Sequence, residues 1–107
     1  MLMKFEQLEE TARKYAEAEA SRQYLMEVRK SKKALLMGEA ERDNPKMPIA
    51  AQERYAYSHH EYLELLDGLK VAIEQAVGLK HQLAVWQMKF ETWRTQESTK
   101  RAEMNIR

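Results

Sequence analysis

Ten apolar positions in the second half of the chain alternate three and four residues apart without a slip: Tyr62, Leu65, Leu69, Ala72, Ala76, Leu79, Leu83, Trp86, Phe90 and Trp93. Spacing of this kind is a heptad seam with every inward position apolar, and it predicts one long helix that packs against another. The seam fades after Trp93, where Glu97 and Lys100 take the next two positions. The predicted helix spans 58–104 and would be roughly 70 Å long at about 1.5 Å per residue. Leu66 and Ile73 widen its stripe on one side, while Leu63, Val71, Val77 and Val85 fall on other faces.

The first 37 residues contain neither glycine nor proline. Phe5, Leu8, Ala12 and Tyr15 recur at helical spacing, small residues (Ala16, Ala18, Ala20, Ser21) follow, and Leu25, Val28 and Leu35 resume the stripe. A helix over 2–37 is predicted, with Gly38 as its stop, because glycine accepts the left-handed conformation at a helix C-terminus. Residues 38–48, GEAERDNPKMP, read as a linker marked by Asp43, Asn44, Pro45 and Pro48. Pro48 suits the first position of a short helix over 49–57.

Two long helices with exposed apolar stripes and one short connection imply an all-α fold. The expected architecture is an antiparallel helical hairpin, with a short helix in the connection, forming a single domain over 1–107. Charge agrees with that direction. Glu6, Glu9 and Glu10 would lie near Lys89, Arg94, Lys100 and Arg101, and Arg29, Lys30, Lys32 and Lys33 near Glu61, Glu64 and Asp67. Each exposed pair is worth only about 0–1 kcal/mol, but together they disfavour the parallel arrangement. A two-helix hairpin has a thin core, so pairing of two hairpins into a dimeric helical bundle is expected.

Composition narrows the classes of function. Charged residues make up 33% of the chain, above the usual quarter or so, yet 18 basic and 17 acidic residues leave a net charge of +1. No global field therefore draws the chain to nucleic acid or an anionic membrane, and no run approaches the roughly 18 apolar residues of a membrane span. Cysteine is absent, which removes disulfides, thiolate zinc sites and a cysteine nucleophile. The opening MLMKFEQLEE carries no apolar core of a signal peptide. A cytoplasmic protein is the expectation.

Candidate chemistry is sparse. His59, His60 and Glu61 stand together in YAYSHHEYLELLDGLK, but adjacent helical residues point about 100° apart and cannot grip one ion together. His60 and Glu64 have the i, i+4 spacing of helical ligands without a second pair to complete a site. The plainer reading is a capping box, with the Ser58 hydroxyl and the Glu61 carboxylate closing the start of the long helix. His81 falls opposite the seam. The serines lack the context of a nucleophile. No metal, cofactor or enzymatic activity is expected.

The strongest surface is the basic run RQYLMEVRKSKK, in which Arg22, Arg29, Lys30, Lys32 and Lys33 face one acid, Glu27. Such a stripe can track phosphates, with Tyr55 and Tyr57 stacking beside it, or can simply be a solvated face. Arg29, Lys30, Lys33, Tyr55 and Tyr57 would surround the hairpin tip, where a protein partner could also bind.

The stretches KSKKALLMGEAE, AAQERYAYSHHEYLELLDGL and AVWQMKFETWRTQESTKRAEM resemble a family of small phage and prophage proteins encoded among phage recombination and replication genes. The resemblance runs from Tyr24 to Met104 and carries no active-site residues. It implies a bacterial host cytoplasm and a phage role, accessory to DNA recombination or acting on a host protein; the residues themselves make that role non-enzymatic, with a protein partner or, alternatively, DNA or RNA bound by the basic stripe.

Overall fold

The computed structural model describes residues 5–106 as three helices: α1 (Phe5–Asp43), α2 (Ile49–Ser58) and α3 (His60–Ile106). α1 and α3 lie side by side as an antiparallel hairpin, and α2 packs at the turn, mainly on α1. The result is a rod of 87 × 19 × 14 Å, two helices wide and one helix thick. The expected start at residue 2 lies outside the described residues.

The ten-residue seam of α3 points at α1. Tyr62, Leu69, Ala72 and Ala76 are buried, and Leu65, Leu79, Leu83, Trp86, Phe90 and Trp93 are partly buried. Alanines at two successive seam positions, Ala72 and Ala76, are small enough to let the backbones approach. α1 answers with Leu8, Thr11, Tyr15, Ala18, Arg22, Leu25, Arg29, Lys32 and Leu36, each at least partly buried and also spaced three and four apart. Two expected positions are corrected. Thr11, rather than Ala12, is buried, its hydroxyl donating to the Gln7 carbonyl at 2.8 Å. Leu36, rather than Leu35, is the inward leucine: Leu36 is 1% exposed and Leu35 64%.

Gly38 does not end α1. The helix continues to Asp43, because Leu36, Met37 and Ala40 carry the contact with α2 and the turn through Gly38 must stay helical to aim them. The connection thus shrinks to residues 44–48. The residue before a proline is pushed out of the helical region, so the helix ends at Asp43, just before Asn44. Its backbone N–H still donates to Ala40 at 3.0 Å, and its side-chain oxygen accepts the Lys46 N–H at 3.2 Å. Pro48 is extended and serves as the N-cap of α2 rather than its first residue. Its carbonyl accepts the N–H groups of Ala51 and Gln52. α2 runs one residue past the expected 57.

The capping box does not form. Ser58 belongs to the end of α2, and its hydroxyl donates to the carbonyls of Arg54 at 2.7 Å and Tyr55 at 3.3 Å. His59 is the corner residue, extended at φ −68° and ψ 136°. Its carbonyl accepts the Leu63 N–H at 3.1 Å and its Nδ1 accepts the Glu61 N–H at 3.1 Å. His59 is therefore the N-cap of α3, doing with an imidazole nitrogen what serine or aspartate does with oxygen. The helix then runs two residues past the expected end at 104.

The two ends of the rod differ. At the tip, Leu36, Ala56 and Tyr62 form a small core with Met37, Tyr55 and Leu66 against it. At the other end Phe5 meets Phe90 and Trp93 edge-on, with ring centroids 5.8 and 5.4 Å apart. Beyond Trp93, α3 extends about 20 Å past the described start of α1. Thr95 and Thr99 there, and Thr92 just before it, donate their hydroxyls to the carbonyls four residues back.

Candidate functional site at the hairpin tip

The basic run spans the middle of α1 and leads towards the tip, where α2 and the first turns of α3 meet its last cations. Most of its cations are held by carboxylates. Lys32 Nζ lies 2.5 Å from Glu61 on α3, and Lys33 Nζ lies 3.8 Å from Glu53 on α2. Lys30 pairs with Glu27 at 3.2 Å, and Arg22 forks onto Glu19 while reaching the Met26 sulfur at 3.2 Å. Among the described residues Arg29 has no carboxylate partner, and it is partly buried against the seam. The stripe is thus one strand of an ion-pair network that ties three helices together.

Tyr57 completes the Lys33 environment. The ammonium sits 4.8 Å from the Tyr57 ring centroid, and Tyr57, ahead of the weaker pull of Glu53, raises Lys33 above the ordinary lysine range. Tyr57 also rests edge-on against Tyr62, 5.4 Å between centroids. Tyr55 turns the other way, its hydroxyl 3.4 Å from Glu39. Partial burial first, then Glu39 and Asp43, raise the Tyr55 hydroxyl above its usual range. Lys32 lowers the Glu61 carboxylate.

The structure therefore sets Lys33 against Tyr57 and Lys32 against Glu61, turns Tyr55 towards Glu39, and leaves Arg22 down the shaft. Sequence reasoning found Glu61 as a partner for the run but missed Glu53, and missed Glu39 as the partner of Tyr55.

The expected contact of Glu6, Glu9 and Glu10 with the cations of α3 is not formed by Glu10, which binds Arg13 at 2.6 Å and Lys14 at 3.7 Å on its own helix. Lys89 lies over the Trp86 ring at 4.6 Å.

The histidines have structural employment. His59 caps α3, stacks on His60 at 4.6 Å and meets Tyr55 edge-on at 5.6 Å. Its Nδ1 accepts a backbone N–H, so the ring cannot at the same time use that nitrogen as a base. Among the described residues no group of three or more His, Cys, Asp or Glu side chains is placed to hold a metal ion, and no helix is long and apolar enough to cross a membrane.

Two shallow grooves run along the shaft between α1 and α3. The larger, about 550 Å³, is bounded by Lys14, Glu17, Ser21, Gln75, Gly78 and Gln82. The smaller, about 220 Å³, is bounded by Tyr15, Glu19, Arg22, Ile73, Val77 and Lys80. Beside them Leu63, Val71, Ile73, Val77 and Val85 are 39–53% exposed. No protein-family model, curated protein or solved structure matches this chain.

Proposed function

We propose that this chain is a non-enzymatic interaction protein: a helical hairpin that associates with itself and presents its helical surfaces to a protein partner. The observation that carries the reading is the mismatch between apolar surface and cover. Five large aliphatic side chains of α3 stand about half exposed along a rod only 14 Å thick. Exposed apolar surface of this extent on so thin a rod is the usual mark of an interface. The resemblance to small phage proteins gives such a role a setting, an accessory in the cytoplasm of a bacterial host.

The tip is the proposed partner-facing end. Leu35, Ile49 and Tyr57 are exposed around it, next to the paired Lys30 and Lys33, and Tyr24 is exposed farther down α1. Tyrosines ringed by charge favour a protein surface over a bare phosphate chain. The alternative, a DNA- or RNA-binding accessory using Arg22, Arg29, Lys30, Lys32 and Lys33, has to break several ion pairs before those cations reach phosphates.

A photo-crosslinking residue at Tyr57 tests the reading in bacterial host cells. A discrete protein adduct other than the chain's own dimer is expected. Adducts to nucleic acid alone, abolished by Lys30/Lys32/Lys33→Glu, would replace the reading with its alternative.

A further inference from the structure

We infer that a second copy of this chain lies antiparallel along the flank of the rod that carries Leu63, Ile73 and Val77. The inference rests on the self-association proposed above and says where and in which direction it occurs.

Area first identifies a second copy as the occupant. The chain exposes 8364 Å². A compact monomer of 12.7 kDa would expose roughly 6200 Å², so this one carries an excess of roughly 2100 Å². Its radius of gyration is 24.1 Å, against about 13 Å for a globular domain of this length. Two chains together would need to hide about 4000 Å², inside the roughly 2000–5000 Å² of obligate homodimer interfaces. A short foreign peptide would leave most of that surface open.

The flank follows from side-chain chemistry. α2 occupies the tip end of one flank, marked by Lys33 against Glu53 and Tyr57. Farther down the same side of α1, at seven-residue steps, come Met26 and Glu19, and across from them stand Leu66, Ile73 and Val77 of α3. This side continues the apolar surface of the tip core, because Leu66 already packs against that core. The opposite flank offers Ser21, Gln75, Gly78 and Gln82, which bury little apolar area.

Direction follows from where α2 sits, and charge agrees with it. The first half of α1 is acidic, with Glu6, Glu9, Glu10, Glu17 and Glu19 against Arg13 and Lys14. Residues 21–33 are basic, with only Glu27 opposing five cations. α3 repeats the division: Glu61, Glu64, Asp67 and Glu74 surround Lys70, whereas Lys80, Lys89, Arg94, Lys100 and Arg101 dominate later. Two rods stacked parallel on this flank would bring α2 of one copy onto α2 of the other at the tip and hold the shafts apart. A two-fold axis perpendicular to the rod sets each acidic block of α1 or α3 beside the basic block of its counterpart.

Sedimentation velocity on the full chain tests this at micromolar concentration, with circular dichroism to confirm that each variant stays helical. The wild type is expected at twice 12.7 kDa. Ile73→Glu with Val77→Glu should return one chain, and the milder Ile73→Gln with Val77→Gln should weaken association at least tenfold. Val71→Glu with Val85→Glu, on the other side of α3, should remain dimeric. The chain has no cysteine, so single dye sites are easily placed. Energy transfer between copies should be low for labels at Lys46→Cys in the tip and high at Ala20→Cys in mid-shaft. High transfer at both sites would overturn the antiparallel direction. A dimer indifferent to the Ile73/Val77 variants would overturn the flank while leaving self-association standing. A single-chain mass for the wild type would overturn both.

Discussion

The tip and the shaft of this rod are built from the same kind of helix yet solve burial differently. At the tip a third helix seals the hairpin, and Leu36 and Ala56 reach 1% and 0% exposure. In the shaft two helices alone cover only the residues directly between them, mostly Leu69, Ala72 and Ala76. Two cylinders in contact can hide one stripe each, and a third is the least that encloses a core. The tip is therefore a miniature complete domain, and the shaft is half of one.

That contrast is sharpest for Leu36→Ala. Leu36 is buried on all sides, so its truncation should cost about 3 kcal/mol, within the roughly 2–5 kcal/mol range for buried leucines. Chemical denaturation monitored by circular dichroism measures it. Trp93→Ala removes a larger side chain from the open end, where it is only partly buried and leans on the 44%-exposed Phe5. A loss of about 1–2 kcal/mol is expected there. A larger loss for Trp93 than for Leu36 would mean the open end, not the tip, holds the hairpin together.

How far these features were legible in the sequence depended on whether a seam was written in apolar residues. α3 announces itself, since all ten inward positions are apolar. α1 does not, because Thr11, Arg22, Arg29 and Lys32 fill inward positions where threonine satisfies itself on Gln7 and the long side chains pack through their aliphatic stems. Apolar periodicity therefore favoured Leu35 over Leu36 and Ala12 over Thr11. Gly38 looked like a stop because its cost of about 1 kcal/mol within a helix is visible locally, while the packing of Leu36 and Ala40 that offsets it is not. Ser58 matched the capping box in letters, but His59 took the cap because α2 keeps Ser58 inside its own last turn. The cations of the tip were legible; the α2 carboxylate that holds Lys33 was not, since it depends on where a ten-residue helix lands.

The junction between the two regions has its own smaller tests. His59→Ala should lose about 1 kcal/mol through the missing N-cap, and His59→Asn should restore most of it. Equal stability of the two variants, read by thermal denaturation, would show that the imidazole contact contributes nothing. Deeper in the shaft, a Cβ at Gly78 would meet nothing within 4 Å. Gly78→Ala should therefore stabilise the chain by about 0.5–1 kcal/mol. It should leave the dimer unchanged, since Gly78 lies on the side of α3 away from the inferred interface. Weaker self-association in this variant would move the interface to its flank.

The smallest effect expected is electrostatic. Lys32 holds the Glu61 carboxylate below its ordinary value of 4.5. Its folded form is thus the weaker proton binder, and the pair's contribution is present above pH 4.5 and lost as pH falls through the lowered value. Wild-type stability should decline more steeply than that of Glu61→Gln over that acidic range. Parallel curves in a denaturation series from pH 6 to 3 would show the pair to be neutral.

The most direct test of the half-built shaft is small-angle X-ray scattering across a concentration series. Two hairpins lying side by side should give forward scattering for two chains. The cross-section should be thicker than 14 Å, and the longest dimension should remain near 87 Å rather than doubling. A scattering mass of one chain, with the cross-section of a single two-helix ribbon at every concentration, would contradict it.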